Sequence, residues 1–379
     1  MSAIVVDDEK NLVLFPVPTP TPADDEVLIR VAAAGVNRAD LLQRRGLYPP
    51  PPGISDIMGL EVSGTIVDVG ASFRQAQGAE GRAQGAGGQA PGAETEAPAS
   101  PRSATPSEGS PRSLSPSTSC RRKLRHELRN HPSKGDEVCA LIAGGGYAEY
   151  VVVPATQVMP VPDGISLIDA AALPEVASTV WSTIVMDAGL RAGETLLVHG
   201  GGSGIGTHAI QVAKALGARV AVTVGSGEKG DRCRELGADV VVNYKEQDFA
   251  AELAGQADVI LDIMGGSYLA RNIETLAVGG RLVIIGMQGG TTGEANIGAL
   301  IGKRARVIGL NVRNRPVTGP GSKTEIVAAV TADEWPLVAR GAIAPIVADR
   351  LPLADAARAH ELLESSAVVG KILLLPPAS

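Results

Sequence analysis

The segment that most constrains the fold of this chain is "LLVHGGGSGIGTHAIQVAKALGARV", residues 196–220. An apolar strand ends at His199, a glycine-rich turn follows, and a helix begins near Gly206. Glycine permits positive φ and lets a diphosphate approach the backbone closely, while the helix N-terminus offers free N–H groups. The loop reads GGxSGxG and departs from the standard GxGxxG. The strand–turn–helix context therefore supports the prediction of a diphosphate-binding loop more than the glycine spacing does. A plain tight turn is the alternative.

The region from Ile168 onward alternates between helix-like and strand-like segments. Near-continuous apolar strands are expected at "ETLLVHG", "ARVAVTV", "ADVVVNY", "DVILDIMGG" and "GRLVIIG", and helices at "IGTHAIQVAKALG" and "EKGDRCRELG". The stretch "LIDAAALPEVASTVWSTIVMDAG" indicates helix with a break near Pro174. This alternation is typical of a parallel, doubly wound sheet.

The N-terminal region has a different pattern. "EVLIRVAAAGV" and "EVSGTIVDVG" are typical of β-strands between Pro- and Gly-rich loops, which predicts a small or partly open barrel. Arg74 to Lys134 contains no Val, Ile, Phe, Tyr, Trp or Met, and it cannot bury enough apolar area to offset its ordering entropy. We therefore predict a disordered insertion over residues 73–134. The tail indicates a helix at "LADAARAHELLES" and a strand at "GKILLLP".

The charge and the cysteine content exclude several classes of protein. A net charge of −7 argues against a nucleic-acid partner, although the basic stretch "RRKLRHELR" keeps an RNA-binding role open. No apolar run approaches the about 20 residues that span a bilayer, so no membrane association is expected. The three cysteines form no CxxC pair, which argues against a disulfide framework or a structural zinc lobe. A reducing, cytoplasmic setting is expected.

The end of the second strand of the doubly wound region indicates the cofactor. A dinucleotide site for NAD usually carries an acid there, whereas "AVTVGSGEK" presents Ser226 and Lys229, with Glu228 close by. A lysine beside a serine suits a 2′-phosphate through charge and hydrogen bonding, so NADPH is favoured. The alternative is that Lys229 lies on an exposed helix face.

Several motifs together resemble those of a known family: "AAGVNRADLLQRRGLYPPPPG", "MGLEVSGTIVDVG", "GGGYAEYVVVP", "AAALPEVASTVW", "GGSGIGTHAIQVAKALGA", "GADVVVNYKEQDF" and "LDIMGGSYL". They are similar to the zinc-independent quinone oxidoreductases (ζ-crystallin-like) of the medium-chain dehydrogenase/reductase superfamily. The resemblance implies an α/β fold with a GroES-like, β-barrel-type catalytic domain and a doubly wound parallel Rossmann domain. The expected bounds are 1–171, 172–310 and a C-terminal return over 311–379. A homodimer formed through the Rossmann sheets is also implied.

The resemblance further implies that catalytic zinc is absent. Zinc relatives have a cysteine ligand where this chain has Asn37, and a histidine ligand in a Gly-His-Glu segment where it has Leu60. Quinones are strong electrophiles, and the phenolates formed from them are far less basic than alkoxides, so hydrogen bonds and solvent can replace a metal. No metal ligand is therefore predicted.

The resemblance also assigns candidate site residues. Tyr48 is expected to orient the quinone and assist proton transfer, Asn37 to lie near the nicotinamide, and Asp40 to support the site through hydrogen bonds. A loop role for Tyr48 and a structural role for Asp40 are the alternatives. The expected cofactor contacts are Asn37, Thr179, Gly201, Ser203, Gly204, Ile205, Gly206, Ser226, Lys229, Tyr244, Gly286, Met287, Asn311 and Lys371.

These residues predict an oxidoreductase that transfers hydride from NADPH to a small-molecule quinone. Two alternatives stay open: reduction of the activated double bond of an enone or alkenal on the same scaffold, and a non-catalytic NADPH-binding sensor. For Lys371, a strand residue that makes no contact with the cofactor is an equal alternative. Serines stand at 365 and 366 where some relatives carry an arginine, which weakens the prediction of NADPH.

Overall fold

The structure is a computed structural model that describes residues 1–73 and 132–377. Most of the predicted insertion, residues 73–134, lies outside these described residues. Within them, no helix is long and apolar enough to cross a membrane. Elements are numbered along the chain.

The N-terminal part is an antiparallel β domain with one short helix. Its elements are β1 (Ser2–Val6), β2 (Leu12–Pro16), β3 (Glu26–Val36), α1 (Arg38–Arg44), β4 (Glu61–Val69), β5 (Glu137–Leu141), β6 (Tyr150–Pro154) and β7 (Val158–Pro160). Strands β1 and β2 form a hairpin, and β3 pairs with β4 and β6. The two strands predicted from "EVLIRVAAAGV" and "EVSGTIVDVG" are β3 and β4.

The middle of the chain forms the Rossmann domain. Its strands are β8 (Thr195–His199), β9 (Arg219–Val224), β10 (Val240–Asn243), β11 (Ala257–Asp262), β12 (Leu276–Ile284) and β13 (Arg306–Gly309). Its helices are α2 (Pro174–Val180), α3 (Gly204–Ala215), α4 (Gly227–Glu235), α5 (Phe249–Glu252), α6 (Leu269–Thr275) and α7 (Ile297–Lys303). Helix α2 begins at Pro174, as predicted, and continues as a π-helix over Trp181–Asp187.

The six parallel strands lie in the order β10-β9-β8-β11-β12-β13. Leu196, Leu197 and Val198 of β8 are at most 1% exposed, because helices cover both faces of the sheet. The chain winds outward in both directions from β8, so β8 and β11 flank the topological switch point, where open α/β sheets bind ligands. The predicted fold class is confirmed.

The C-terminal part contacts both domains before it re-enters the catalytic sheet, since Thr324 donates to Thr156 and the Trp335 indole to the Pro160 carbonyl. Helices α8 (Lys323–Ala329) and α9 (Trp335–Ala339) are joined by a π-helix, and they bury Ile326, Val330 and Trp335 in the same core as β8. Re-entry comes with β14 (Val347–Pro352), α10 (Ala356–Glu364) and β15 (Lys371–Leu375). The helical pattern of residues 311–345 could not reveal which domain its apolar face would cover.

Strand β15 has a central place in the catalytic sheet. The sheet order is β14-β15-β3-β4-β5-β7, so β15 lies between β14 and β3. It runs parallel to β14 and antiparallel to β3. The N–H of Gly370, just before β15, donates to the carbonyl of Gly202 at 3.1 Å. This bond fixes the catalytic sheet against the glycine-rich loop of the Rossmann domain.

Candidate active site

The carboxyl ends of the parallel strands bring most of the predicted cofactor residues to one edge. Ser203 follows β8, Ser226 follows β9, Tyr244 follows β10, Met287 follows β12, and Asn311 follows β13. Because parallel strands all end at the same side of a sheet, these residues line one border of the domain. The border faces α1 and β15 of the catalytic domain.

The glycine-rich loop has the geometry that a diphosphate requires. Ser203 is the N-cap of α3, and its hydroxyl accepts a hydrogen bond from the N–H of Gly206 at 3.0 Å. Gly200 has a φ of +74°. A Cβ at Gly206 would lie 2.4 Å from the carbonyl oxygen of Gly200, so α3 can begin this close to the turn only with glycine. Gly201, Gly204 and partly buried Ile205 complete the loop.

The residues predicted to bind the adenosine end form a second group beside this loop. Ser226 is the N-cap of α4, and the Lys229 side chain lies along Gly202. The hydroxyl of Tyr244 lies against the backbone of Gly225. The ammonium of Lys229 donates to the carbonyl oxygen of Ser366, and partial burial lowers the pKa of this lysine.

Tyr48 meets the Rossmann domain directly. Its hydroxyl donates to Oδ1 of Asn311 at 2.9 Å. Arg313 lies with its guanidinium 5.1 Å from the Tyr48 ring centroid and donates to the Tyr48 carbonyl at 3.2 Å. Burial raises the pKa of the tyrosine, so its hydroxyl keeps its proton near neutral pH. The structure therefore brings together one predicted catalytic residue and one predicted nicotinamide contact.

Gly286 and Met287 lie farther along the same edge. Gly286 packs against the backbone of Ile263, and Met287 lies next to Gly265 in the turn that follows β11. Met287 is 62% exposed. Neither residue touches Tyr48, so their assignment as cofactor contacts stays a prediction.

Asp40 lies in the interior, close to the Lys371 cluster. It is 0% exposed, and it accepts hydrogen bonds from the N–H groups of Asn37 and Gly59 and from the hydroxyl of Tyr147. Burial raises its pKa to about 6. With its carboxylate enclosed, Asp40 holds Asn37 in place through a hydrogen bond, and its role in the reaction stays a prediction.

Lys371 forms the centre of a buried cluster of polar side chains. Its ammonium lies 2.5 Å from Oε1 of Glu61 and donates to Oδ1 of Asn37 and to the carbonyl of Val36. Two of its N–H groups thus donate within the protein, and the Glu61 carboxylate balances its charge. In this structure Lys371 makes these contacts within the protein, and its contact with the cofactor stays a prediction.

Two members of this cluster, Glu61 and Glu175, were missed by the sequence analysis. Glu61 is 0% exposed, and its oxygens also accept from the side-chain amide of Asn37 and the N–H of Glu175. A Cβ at Gly35 would lie 2.3 Å from the Glu61 carboxylate, so this glycine provides the space. Glu61 is the first residue of β4, directly after Leu60, and its match to the glutamate of the Gly-His-Glu segment was the available signal.

Glu175 connects the cluster to the predicted nicotinamide contact Thr179. The Thr179 hydroxyl donates to Oε1 of Glu175 at 3.1 Å. Desolvation raises the pKa of Glu175 to about 7, with Lys371 opposing the rise and Glu61 adding to it. A half-buried carboxyl that can hold a proton near neutral pH thus lies at the domain junction.

Comparison with known proteins agrees with this architecture. Residues 23–83 match the alcohol dehydrogenase GroES-like domain, and residues 204–325 match the zinc-binding dehydrogenase family. The quinone oxidoreductase of Rattus norvegicus is 26% identical over 94% of this chain and 91% of the relative. Acryloyl-coenzyme A reductase of Sulfurisphaera tokodaii is 29% identical over 99% of this chain and 100% of the relative.

A solved structure supports the same grouping. The Escherichia coli quinone oxidoreductase complexed with NADPH is 26% identical, has a TM-score of 0.73, and the match covers 99% of each chain. The matched domains, the homologues and the structural neighbours are consistent with the medium-chain dehydrogenase/reductase superfamily. The same homologues and structural neighbours agree with the quinone oxidoreductase branch that the motifs of this chain resemble.

The zinc that one family name implies does not fit the side chains found here. Leu60 is 4% exposed and offers no ligand atom, and the amide oxygen of Asn37 already accepts from the ammonium of Lys371. Within residues 1–73 and 132–377, no group of three or more His, Cys, Asp or Glu side chains could hold a metal ion. A resident ammonium would repel a second cation at this position.

Gly206→Ala tests the glycine-rich loop. The added methyl would collide with the carbonyl oxygens of Gly200 and Gly201, so the loop must shift. We expect dinucleotide affinity to fall at least about tenfold, equal to ~1.4 kcal/mol, as measured by fluorescence titration. Gly302→Ala is the matched control, because nothing lies within 4 Å of its added methyl. Equal affinity in the two variants would contradict the assigned role of the loop.

Proposed function

We propose that this protein is a zinc-independent reductase that uses NADPH to reduce quinones by hydride transfer. The observation that carries the proposal is the hydrogen bond between Tyr48 and Asn311. It joins the tyrosine expected at the quinone to a residue expected at the nicotinamide, across the two domains. The E. coli quinone oxidoreductase complexed with NADPH and the quinone oxidoreductase of rat support both the cofactor and the substrate class.

The residues around this junction suit the reaction. NADPH supplies the hydride when it is bound. The N–H groups at the start of α3 and the Ser203 loop would hold its diphosphate, and Asn37 would lie at the nicotinamide end. Tyr48, held by Asn311 and Arg313, would orient the acceptor ring, so that positioning supplies much of the rate enhancement.

The donor set supports zinc independence. Hydride transfer to a carbonyl that becomes an alkoxide benefits from a metal, whereas a quinone yields a much less basic phenolate. The ammonium of Lys371 provides a fixed positive charge at Asn37, and no step of the proposed reaction requires a metal.

A second function has support from one relative. The acryloyl-coenzyme A reductase of Sulfurisphaera tokodaii has 29% identity with this chain, so reduction of an activated double bond on the same scaffold is the main alternative. An enone would need a proton on carbon, whereas a quinone needs one on oxygen. The non-catalytic sensor is the remaining alternative, and it would bind NADPH without turnover.

The first test is turnover by the purified full chain. We expect rapid NADPH oxidation with naphthoquinone and phenanthrenequinone, measured as the loss of dihydronicotinamide absorbance. The rate should be unchanged by a chelator and lower when NADH replaces NADPH. Faster turnover of an enone than of either quinone would favour the alternative. Tight binding without oxidation by any acceptor would favour the sensor.

Lys229→Gln tests the expected preference for NADPH. A charge-assisted hydrogen bond to the 2′-phosphate contributes about 1.5–3 kcal/mol, so we expect the Kd for NADPH to rise roughly 10- to 100-fold. The Kd for NADH should change little, because NADH lacks this phosphate. A similar loss for both cofactors would show that the lysine supports α4 and does not select the cofactor.

We also propose that two copies associate through β13. This strand is the edge of the Rossmann sheet, and its backbone can pair with another strand. Val307 on it is 44% exposed, and Ile297 and Ile301 on the neighbouring α7 are 61% and 72% exposed. Burial of these side chains by a second copy would stabilise the pair.

Sedimentation tests this assembly. We expect a species of about twice 38.7 kDa for the unmodified chain, and Ile301→Lys should shift it toward one copy, because a buried unpaired charge is costly. Leu47→Lys, at a site that is 70% exposed in the catalytic domain, should leave the mass unchanged. A monomeric unmodified chain would rule out the assembly.

A further inference from the structure

Reduction of a quinone needs a proton as well as a hydride, and the sequence analysis assigned that step only to Tyr48. The hydride brings an electron pair and converts the quinone to the hydroquinone monoanion. One O–H bond must then form on the remaining oxygen, and the group that loses the proton must recover one from solvent. A suitable donor holds a proton near neutral pH, reaches the junction, and is partly open to water.

Most polar groups of the junction are poorly suited to donate this proton. The Tyr48 hydroxyl donates to Asn311, and burial raises its pKa. Asp40 and Glu61 are 0% exposed, with their carboxylates engaged by protein donors. The ammonium of Lys371 donates to Val36 and Asn37 and forms an ion pair with Glu61.

Glu175 differs from these groups in position and in hydrogen bonding. It lies in the first turn of α2 and is only half-buried. Its Oε1 accepts from Thr179, and within the described part of the chain its Oε2 has no hydrogen-bond partner. Its N–H donates to Glu61 at 2.9 Å, which fixes the residue against the Lys371 cluster.

The charged groups that act on Glu175 lie on three separate elements. Lys371 lies on β15, Glu61 on β4 and Asp40 on α1, and Tyr48 follows α1. The two carboxylates disfavour a second negative charge, whereas Lys371 favours it. Desolvation is the largest influence, and the net effect raises the pKa of Glu175 to about 7. At neutral pH the carboxyl is therefore present in both forms, which suits a group that donates a proton and recovers it.

We infer that Glu175 is a further catalytic residue, the general acid that protonates the reduced quinone. The inference rests on the proposed quinone reductase function. The O–H bond of the Glu175 carboxyl breaks as the new O–H bond of the hydroquinone forms, and water reprotonates the carboxylate through the open side of the junction. Thr179 orients the carboxyl, and Lys371 and Glu61 set its acidity.

Glu175→Gln tests this role, because the amide keeps the size of the side chain and can still accept from Thr179. General acid catalysis contributes about 10²- to 10⁴-fold, and water can partly replace it at an open site, so we expect kcat to fall about a hundredfold. The Kd for NADPH and the melting temperature should stay near those of the unmodified chain. Glu252→Gln, at an exposed carboxylate on α5, is the matched control.

The pH profile gives a readout that a structural role would not change. Only protonated Glu175 can donate, so kcat of the unmodified chain should be constant at acid pH and fall as the pH rises through about 7. The Gln variant should lack this decline. A variant that keeps both the rate and the decline would overturn the inference.

A further control separates this inference from the proposed function. If the unmodified chain reduces no quinone, the proposed function itself fails, and the inference fails with it. If the unmodified chain reduces quinones and Glu175→Gln behaves like Glu252→Gln, only the role of Glu175 is refuted. A solvent deuterium isotope effect on kcat that is lost in Glu175→Gln would support proton transfer from the carboxyl.

Discussion

The ion pair between Lys371 and Glu61 is the interaction on which the site depends. Both groups are buried, and burial of charge is tolerated only when partners and hydrogen bonds compensate the lost hydration. Here Asn37, the Val36 carbonyl and the N–H of Glu175 supply those bonds. Because the partners come from separate parts of the chain, the pair fixes β15, β4 and α2 relative to one another. Removal of one partner would leave the other charge buried and uncompensated.

The domain junction divides the chemical work between two kinds of residue. Backbone groups and glycines of the Rossmann edge form a surface that accepts an anion, and they need little from side chains except the cap of Ser203. Side chains around the Lys371 cluster and Tyr48 supply orientation and protons. This division explains why the acids gather on one side of the junction, since carboxylates near a diphosphate would weaken its binding. The positive charge of the Lys371 ammonium reduces the repulsion between these carboxylates.

Local signals in the sequence were enough to predict the fold, and long-range contacts were needed for the site. Helix α3 and strands β8 and β9 follow from apolar runs and glycines that are adjacent in sequence. The same signals indicated Ser203 and Ser226, whereas Tyr48 was assigned only through the resemblance to the family. They could not show that Lys371 turns inward to Glu61, because the two residues lie on opposite ends of the chain and meet only in the folded sheet. The enclosure of Asp40 and the packing of α8 on the Rossmann core depend on tertiary contacts in the same way.

The position of β15 in the sheet has a consequence for biosynthesis. This strand lies between β14 and β3, yet the ribosome makes it only after the whole Rossmann domain. Until then, β3 lacks β15 as its neighbour on one side, and Glu61 lacks the positive charge of Lys371. The N-terminal β domain therefore cannot complete its core during translation. The Rossmann domain, whose strands are contiguous in sequence, can form first and present Gly202 to the incoming strand. The order of synthesis thus makes the active site the last part of the described chain to assemble.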